Sequence, residues 1–113
     1  MAVTVKNIIP PKQAETVQTT QYTAVNCKTV IDKFTITNNT AANVTISVNL
    51  VTTGDTPGAQ NRIINARAIA PSETYTCPEL VGQSMEPGGT ISTIAGSAAA
   101  LTISASGREI TGT

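Results

Sequence analysis

The chain has 113 residues, carries seven basic and seven acidic side chains, and contains no histidine. This length fits a single domain, and the balanced charge without a basic run argues against a nucleic-acid partner. The missing histidines remove the commonest general base and metal ligand, so we expect no catalytic, cofactor-binding or metal-binding residues and no enzyme activity.

Residues 1–13 are predicted to form an extended N-terminal arm, because apolar and polar residues alternate until two consecutive prolines stop regular pairing. Two interpretations stay open: the arm reaches a neighbouring subunit, or it is an edge strand of its own sheet. We expect residues 1–11 to contribute to partner binding more than to the stability of the domain, so that deletion of residues 2–11 leaves the Tm nearly unchanged. A β-sandwich domain is expected to occupy residues 14–113. The candidate partner-binding residues are Val3, Val5, Ile8, Ile9, Pro10 and Pro11.

The next strands are predicted over residues 15–25, 29–37 and 43–51, of which the last shows the clearest alternation. We interpret residues 29–51 as a β-hairpin with a five-residue connection. One face of this hairpin is expected to be buried, and Thr45, Ser47 and Asn49 are expected to lie on the other. The residues predicted to be buried are Phe34, Ile36, Val44, Ile46, Val48 and Leu50.

The C-terminal half alternates turns with short strands. A loop is predicted at residues 52–61, one helical turn at 77–82, and a proline–glycine turn at 86–89. The last two main strands are expected to pair with each other. The predicted strands are 62–69, 74–77, 90–95, 100–106 and 108–111.

Seven or eight short strands separated by turns predict an all-β fold, a single β-sandwich or jelly-roll-like domain with an extended N-terminal arm. Val, Ile and Thr supply 41 of the 113 residues, which favours strands over helices. Leu, Ile, Val and Phe supply only 25, which predicts a thin core that gains from a partner surface.

The sequence also indicates where the protein is made. No stretch approaches the ~20 apolar residues of a membrane helix, and no export signal precedes the strands. We therefore expect a product of the cytoplasm with no membrane partner. In that setting free, buried thiols are favoured over a disulfide between Cys27 and Cys77.

The segments 70–83 (APSETYTCPELVGQ), 86–89 (EPGG) and 104–111 (SASGREIT) resemble small virion proteins of tailed bacteriophages. The resemblance is to the capsid decoration, staple or cement, proteins of epsilon-15-like short-tailed phages. It implies a jelly-roll-like fold on the exterior of an icosahedral head, where such proteins bridge neighbouring major capsid subunits and stabilise the shell. The implied partners are the major capsid protein and a second copy of the chain across a two-fold axis.

Two other functions remain open from the sequence. A head–tail connector or tail component belongs to the same structural class and would differ in copy number on the particle. A carbohydrate- or ligand-binding β-sandwich module belongs to another class. The chain has only three aromatic residues, which weighs against sugar binding because stacking rings usually form such sites.

Overall fold

The computed structural model describes residues 2–112 as two antiparallel sheets packed face to face, which confirms the predicted all-β sandwich. Sheet A has the order β1-β9-β3-β6, with β7 also beside β3, and sheet B has the order β2-β8-β4-β5. The strands of sheet A are β1 (Ala2–Gln13), β3 (Lys28–Asn38), β6 (Thr74–Tyr75), β7 (Ser84–Met85) and β9 (Leu101–Thr111). The strands of sheet B are β2 (Thr19–Thr23), β4 (Val44–Val51), β5 (Arg62–Ile69) and β8 (Thr90–Ala95).

The connections give this sandwich a jelly-roll topology. The first four strands alternate between the two sheets, and β8 and β9 do so again at the other end of the chain. The two short strands β6 and β7 both pair with β3 and together take one position at the edge of sheet A. Four strand positions in each sheet, linked in this alternating order, form a double-sheet jelly roll.

The predicted hairpin over residues 29–51 is wrong, because its two strands lie in opposite sheets. β3 pairs with β9, β6 and β7, whereas β4 pairs with β5 and β8. The connection between them is an arch held by Asn38, whose buried side-chain amide donates to the carbonyls of Ala42 and Ile69 at 2.8 Å each. Alternation of apolar and polar residues in a sequence predicts which face of a strand is buried. It does not predict which other strand lies beside it in the sheet.

The predicted pairing of residues 90–95 with 100–106 is wrong for the same reason. β8 lies in sheet B, whereas β9 lies in the middle of sheet A between β1 and β3. The separate final strand predicted at 108–111 is the continuation of β9, which runs without a break to Thr111. An unbroken strand is possible there because β9 has a pairing partner on each side along most of its length.

A β-bulge in β3 changes the face assignment of that strand. The register with β9 shifts between Ile31 and Lys33, so Asp32 is an extra residue. An extra residue reverses the alternation. Ile31 therefore points inward on one side of the bulge, while Phe34 and Ile36 point inward on the other, and all three are fully buried. The predicted burial of Phe34 and Ile36 is confirmed, and the bulge brings Ile31 to the same buried face, where unbroken alternation would have turned it outward.

Strand β4 confirms part of the predicted burial. Its inward residues Val44, Ile46 and Val48 are buried, and Leu50 is half-buried against the core. Thr45, Ser47 and Asn49 lie on the outer face of sheet B, as predicted. Thr45 is exposed there, whereas Ser47 and Asn49 are buried.

The loop after β4 explains the burial of Asn49. This loop contains a 3₁₀ turn, Ala59–Asn61, and lies over the outer face of sheet B. The Asn49 amide donates to the Gly58 carbonyl at 3.0 Å and to Asn61 Oδ1 at 2.7 Å. Asn49 Oδ1 also accepts a hydrogen bond from Arg62 Nε at 3.3 Å. A buried amide is stable here because its polar atoms all have partners.

The remaining predictions differ in accuracy. Strands β5 and β8 have the predicted bounds, while β2 covers only the middle of the segment predicted as a strand. Residues 77–82 form turns instead of a helical turn, with Cys77 at φ 48° and the Leu80 amide bonded to the Cys77 carbonyl. The proline–glycine turn is confirmed, since Gly88 has φ 89° and the Gly89 amide donates to the Glu86 carbonyl at 2.9 Å.

The core lies between the sheets and consists mainly of isoleucine. Burial of each such side chain stabilises the fold by about 1.5–3 kcal/mol relative to an exposed one. Both sheets and the segment before β7 contribute to it. The largest fully buried apolar side chains are Ile9, Ile31, Phe34, Ile36, Ile46, Val48, Ile69, Leu80, Ile91, Leu101 and Ile103.

Candidate interaction surface

The N-terminal half of β1 is an open edge of sheet A. β1 pairs with β9 on one side only, and residues 2–7 are exposed. Val3 and Val5 keep 52% and 81% of their surface in solvent. An unpaired strand edge leaves main-chain N–H and C=O groups available to another strand. This half of β1 therefore combines exposed valines with free backbone groups. Proteins that bind a partner by adding a strand to an open sheet edge use the same two features.

The C-terminal half of β1 belongs to the core of the chain. Ile8 and Ile9 are buried, so the assignment of these two residues to a partner contact is corrected: they contact the chain's own interior. Two register shifts against β9 interrupt the pairing between residues 6 and 12. Pro10 and Pro11 are exposed, and a partner role for them stays a prediction. Because proline has no N–H, and bulges twist an edge, this half resists strand addition.

The exposed valines belong to a larger apolar patch. The register places Val3 beside Ile110, and Arg108 between Val5 and Val30. Ile110 and Val30 are half-buried. We call the four apolar residues Val3, Val5, Val30 and Ile110 the outer patch. The sequence analysis identified only Val3 and Val5 of this patch. Val30 and Ile110 lie beside them only because of the register in which β1, β9 and β3 pair.

Contacts on the opposite face fix the direction in which the outer patch points. The Tyr22 hydroxyl, from sheet B, donates to the Glu109 carboxylate and lies 2.7 Å from Thr29 Oγ1. Lys6 Nζ lies 3.3 Å from the same carboxylate. Glu109 therefore faces sheet B, and its neighbour Ile110 faces away from the sandwich, since successive side chains of a strand alternate.

This inward cluster is also an electrostatic link between β1 and the rest of the domain. The hydrogen bond from Tyr22, followed by the contact with Lys6, holds the pKa of the Glu109 carboxyl below its usual range. Burial, followed by the neighbouring Glu109 carboxylate, raises the pKa of Tyr22. Both shifts favour the observed state, a neutral phenol that donates to a charged carboxylate.

Two charged residues beside the outer patch, Arg108 and Lys28, are paired within the chain. Arg108 forms two hydrogen bonds of 3.0 Å to the Asp32 carboxylate, one to each oxygen. Lys28 lies 3.8 Å from Glu86. Charges that are already neutralised offer little attraction to an oppositely charged partner. The surface therefore favours a partner with apolar and uncharged polar groups.

The outer face of sheet A continues from the patch as a row of hydroxyl groups. Pairing places Thr37 opposite both Thr74 and Thr102, and Thr35 opposite Ser104. The Thr37 and Thr74 hydroxyls are 3.0 Å apart. One charged residue, the exposed Lys33, lies opposite Ser106 at the end of this row nearest the outer patch. The hydroxyl residues of this face are Thr35, Thr37, Thr74, Thr102, Ser104 and Ser106.

The two cysteine thiols do not form a reactive site. Cys27 and Cys77 are free and buried, as the sequence predicted. Burial raises the pKa of Cys77 to about 12, which keeps its thiol protonated and unreactive near neutral pH. Within residues 2–112, no group of three or more cysteine, aspartate or glutamate side chains is placed to hold a metal ion.

A second cluster closes the other edge of the sandwich. The Arg67 guanidinium of β5 stacks 3.9 Å over the ring of Tyr75 in β6, and the Tyr75 hydroxyl donates to Glu79 at 2.6 Å. Burial, followed by the Glu79 carboxylate, raises the pKa of Tyr75 to about 12. These contacts join sheet B to sheet A across an open edge, which is a structural role.

A cleft lies beside this edge, between the loop after β4 and β7. Its volume is about 310 Å³, and Leu50, Ile63 and Met85 supply apolar surface. Gln60 and Gln83 line it with amide groups. The cleft has neither an aromatic ring nor a pair of carboxylates, so it offers neither sugar stacking nor paired acid–base groups.

Comparisons with known proteins show the fold and no family. No protein-family model matches the chain, and no curated protein matches it. One solved structure is similar, a chain in the structure of infectious bursal disease virus, Gx strain, with a TM-score of 0.53 and 12% sequence identity. The match covers 98% of this chain and spans about a third, 33%, of that chain. No helix in residues 2–112 is long and apolar enough to cross a membrane.

Proposed function

We propose that this protein is a non-catalytic structural component of a virus particle. In this proposal it decorates the exterior of a phage head and staples neighbouring major capsid subunits. The observation that carries the proposal is the outer face of sheet A, where the exposed Val3 and Val5 lie on the same face as a row of hydroxyl groups interrupted by one charge, Lys33. Exposed apolar surface of this kind typically marks a contact with another protein.

The fold and the resemblance support the same role. Jelly rolls recur in viral capsid domains, although the fold alone does not determine a function. The structurally similar chain comes from a virus, and segments 70–83, 86–89 and 104–111 resemble phage decoration proteins. A domain with a thin core that binds each capsid subunit weakly is suited to a capsid lattice. Many weak contacts made at the same time hold the domain in place.

The test uses particles of the phage whose genome encodes the chain. Quantitative mass spectrometry of purified heads should find the protein at a copy number comparable to that of the major capsid protein. Val5→Lys, at the most exposed residue of the outer patch, should lower occupancy on heads at least tenfold. Thr45→Lys, at an exposed residue of sheet B, should leave occupancy unchanged.

Four results would count against the proposal. Absence of the protein from purified heads would exclude decoration, and about a dozen copies would indicate a connector or tail component instead. Equal occupancy of the Val5→Lys and Thr45→Lys variants would exclude the outer patch as the contact. A glycan array that shows specific binding would favour the carbohydrate-binding module.

A further inference from the structure

The open edge of β1 has a property that the outer patch alone does not show. Residues 2–6 pair with β9 in continuous register, without a bulge, and their outward backbone groups have no partner within residues 2–112. A regular, uncovered edge of this kind is a template for another strand. We propose that residues 2–6 pair antiparallel with the same residues of a second copy, about a two-fold axis through Thr4.

The other edges of the sandwich are less suited to pairing. β2, at one edge of sheet B, has a register shift next to Gln21. β5, at the other edge, has two register shifts and a non-glycine residue with positive φ, Ala66 at 47°. β6 and β7 have only two residues each. Bulged and very short strands discourage edge-to-edge association, so residues 2–6 are the most regular edge in the described part of the chain.

The register through Thr4 is favoured by side-chain pairing. A two-fold axis perpendicular to the sheet keeps both outer faces on the same side. It places Val3 opposite Val5 of the second copy, and Lys6 opposite Ala2. Apolar cross-strand pairs stabilise a sheet, and each Lys6 keeps its own Glu109. A register centred on Lys6 would instead set two lysines opposite each other, which is destabilising.

Pairing in this register would join the two outer patches into one apolar surface. The valines of both copies would lie together at its centre, flanked by Val30 and Ile110 on each side. This arrangement deepens the proposed function, since a symmetric surface would fit a two-fold site on a capsid. The pairing itself rests on the open edge, so it can be tested without particles.

The expected dimer is weak in free solution. Stable interfaces bury about 800 Å² per partner, and five residues of one strand contribute much less. We expect a Kd on the order of 100 μM, which becomes effective when a lattice holds two copies side by side. Sedimentation should therefore show a monomer at low micromolar concentration.

The experiment is oxidative cross-linking of engineered cysteines at about 100 μM protein, using the full chain. Thr4→Cys places two thiols opposite each other at the axis and should form a disulfide dimer at least tenfold faster than Thr45→Cys. A mixture of Val3→Cys with Val5→Cys should cross-link faster than either variant alone. The native cysteines do not interfere because both are buried.

The cross-linking results test the proposed pairing of two copies, and they do so independently of the proposed capsid role. Equal rates for Thr4→Cys and Thr45→Cys would overturn the pairing. A Val3→Cys and Val5→Cys mixture no faster than the single variants would overturn the register. The exposed positions of these residues make misfolding a minor concern, and circular dichroism of each variant checks it. Absence of the unmodified protein from purified heads, with intact cross-linking of Thr4→Cys, would reject the capsid role alone.

Discussion

The side-chain amide of Asn38 donates to the main-chain carbonyl of Ile69 at 2.8 Å, and this bond joins the end of β3 in sheet A to the end of β5 in sheet B. Asn38 is fully buried and also donates to the Ala42 carbonyl, while its oxygen accepts from the Thr40 amide at 2.9 Å. One residue therefore holds the arch that carries the chain from one sheet to the other.

The Asn38→Ala variant should be strongly destabilised. The change removes the donor to the buried Ile69 carbonyl, at about 1–3 kcal/mol, and opens a small cavity as well. Asn39→Ala is the matched control, because Asn39 is exposed and bonds only at the surface, to Thr102. Its cost should stay below about 0.5 kcal/mol. Urea unfolding followed by circular dichroism measures both, and equal midpoints would show that the arch does not depend on Asn38.

Two deletions test the division of β1 into an open half and a core half. Removal of residues 2–6 should change the Tm little, because every side chain in that segment is exposed. Removal of residues 2–11 also takes away Ile8 and Ile9, which are buried. Loss of two core isoleucines costs several kcal/mol, so the longer deletion should unfold or melt far lower.

A lower Tm for the deletion of residues 2–11 would contradict the expectation from the sequence that these residues contribute little to stability. Differential scanning calorimetry of both deletions and the full chain gives the comparison. A longer deletion that melts with the full chain would mean that β1 is an arm after all, and that its place in sheet A is not needed for folding.

Stability should depend on pH through Glu109. Its pKa is lower in the folded chain than in the unfolded one, so its contribution is present above the unfolded pKa, about 4.3, and is lost as the pH falls through the folded pKa. Glu109→Gln removes this dependence. Denaturation curves between pH 2 and pH 6 should show the wild type losing more stability on acidification than the variant.

The difference between the two curves is the readout, because Glu15, Asp55 and Glu79 also have lowered pKa values and titrate in the same window in both proteins. Lys6→Met should reduce the difference in part, since Lys6 is the second contact of the carboxylate. Parallel curves for wild type and Glu109→Gln would show that the cluster with Tyr22 does not stabilise the charged carboxyl.

Both thiols should be unreactive in the folded protein. Cys27 and Cys77 are buried, and the raised pKa of Cys77, about 12, leaves almost no thiolate at pH 8. A thiol reagent such as Ellman's reagent should label neither residue in native buffer and both in denaturant. Labelling of neither residue in denaturant without a reductant would indicate a disulfide.

The local composition of the sequence determined most of the strand segments and five of the buried apolar residues of β3 and β4. Phe34, Ile36, Val44, Ile46 and Val48 lie inside as their alternation predicts, and β5 and β8 have the predicted bounds. These properties depend on neighbours within a few residues, which a sequence displays directly.

Only the tertiary structure decided which strands pair and which residues form a surface. A five-residue connection fits either a hairpin or an arch between sheets, and the contact of Asn38 with Ile69, 31 residues away, selects the arch. The bulge at Asp32 moved Ile31 inward, and the loop over sheet B buried Asn49. The outer patch depends in the same way on the register of β1, β9 and β3. Pairing partners and registers are set by the packing of distant segments, and the alternation of a strand carries no information about its neighbours.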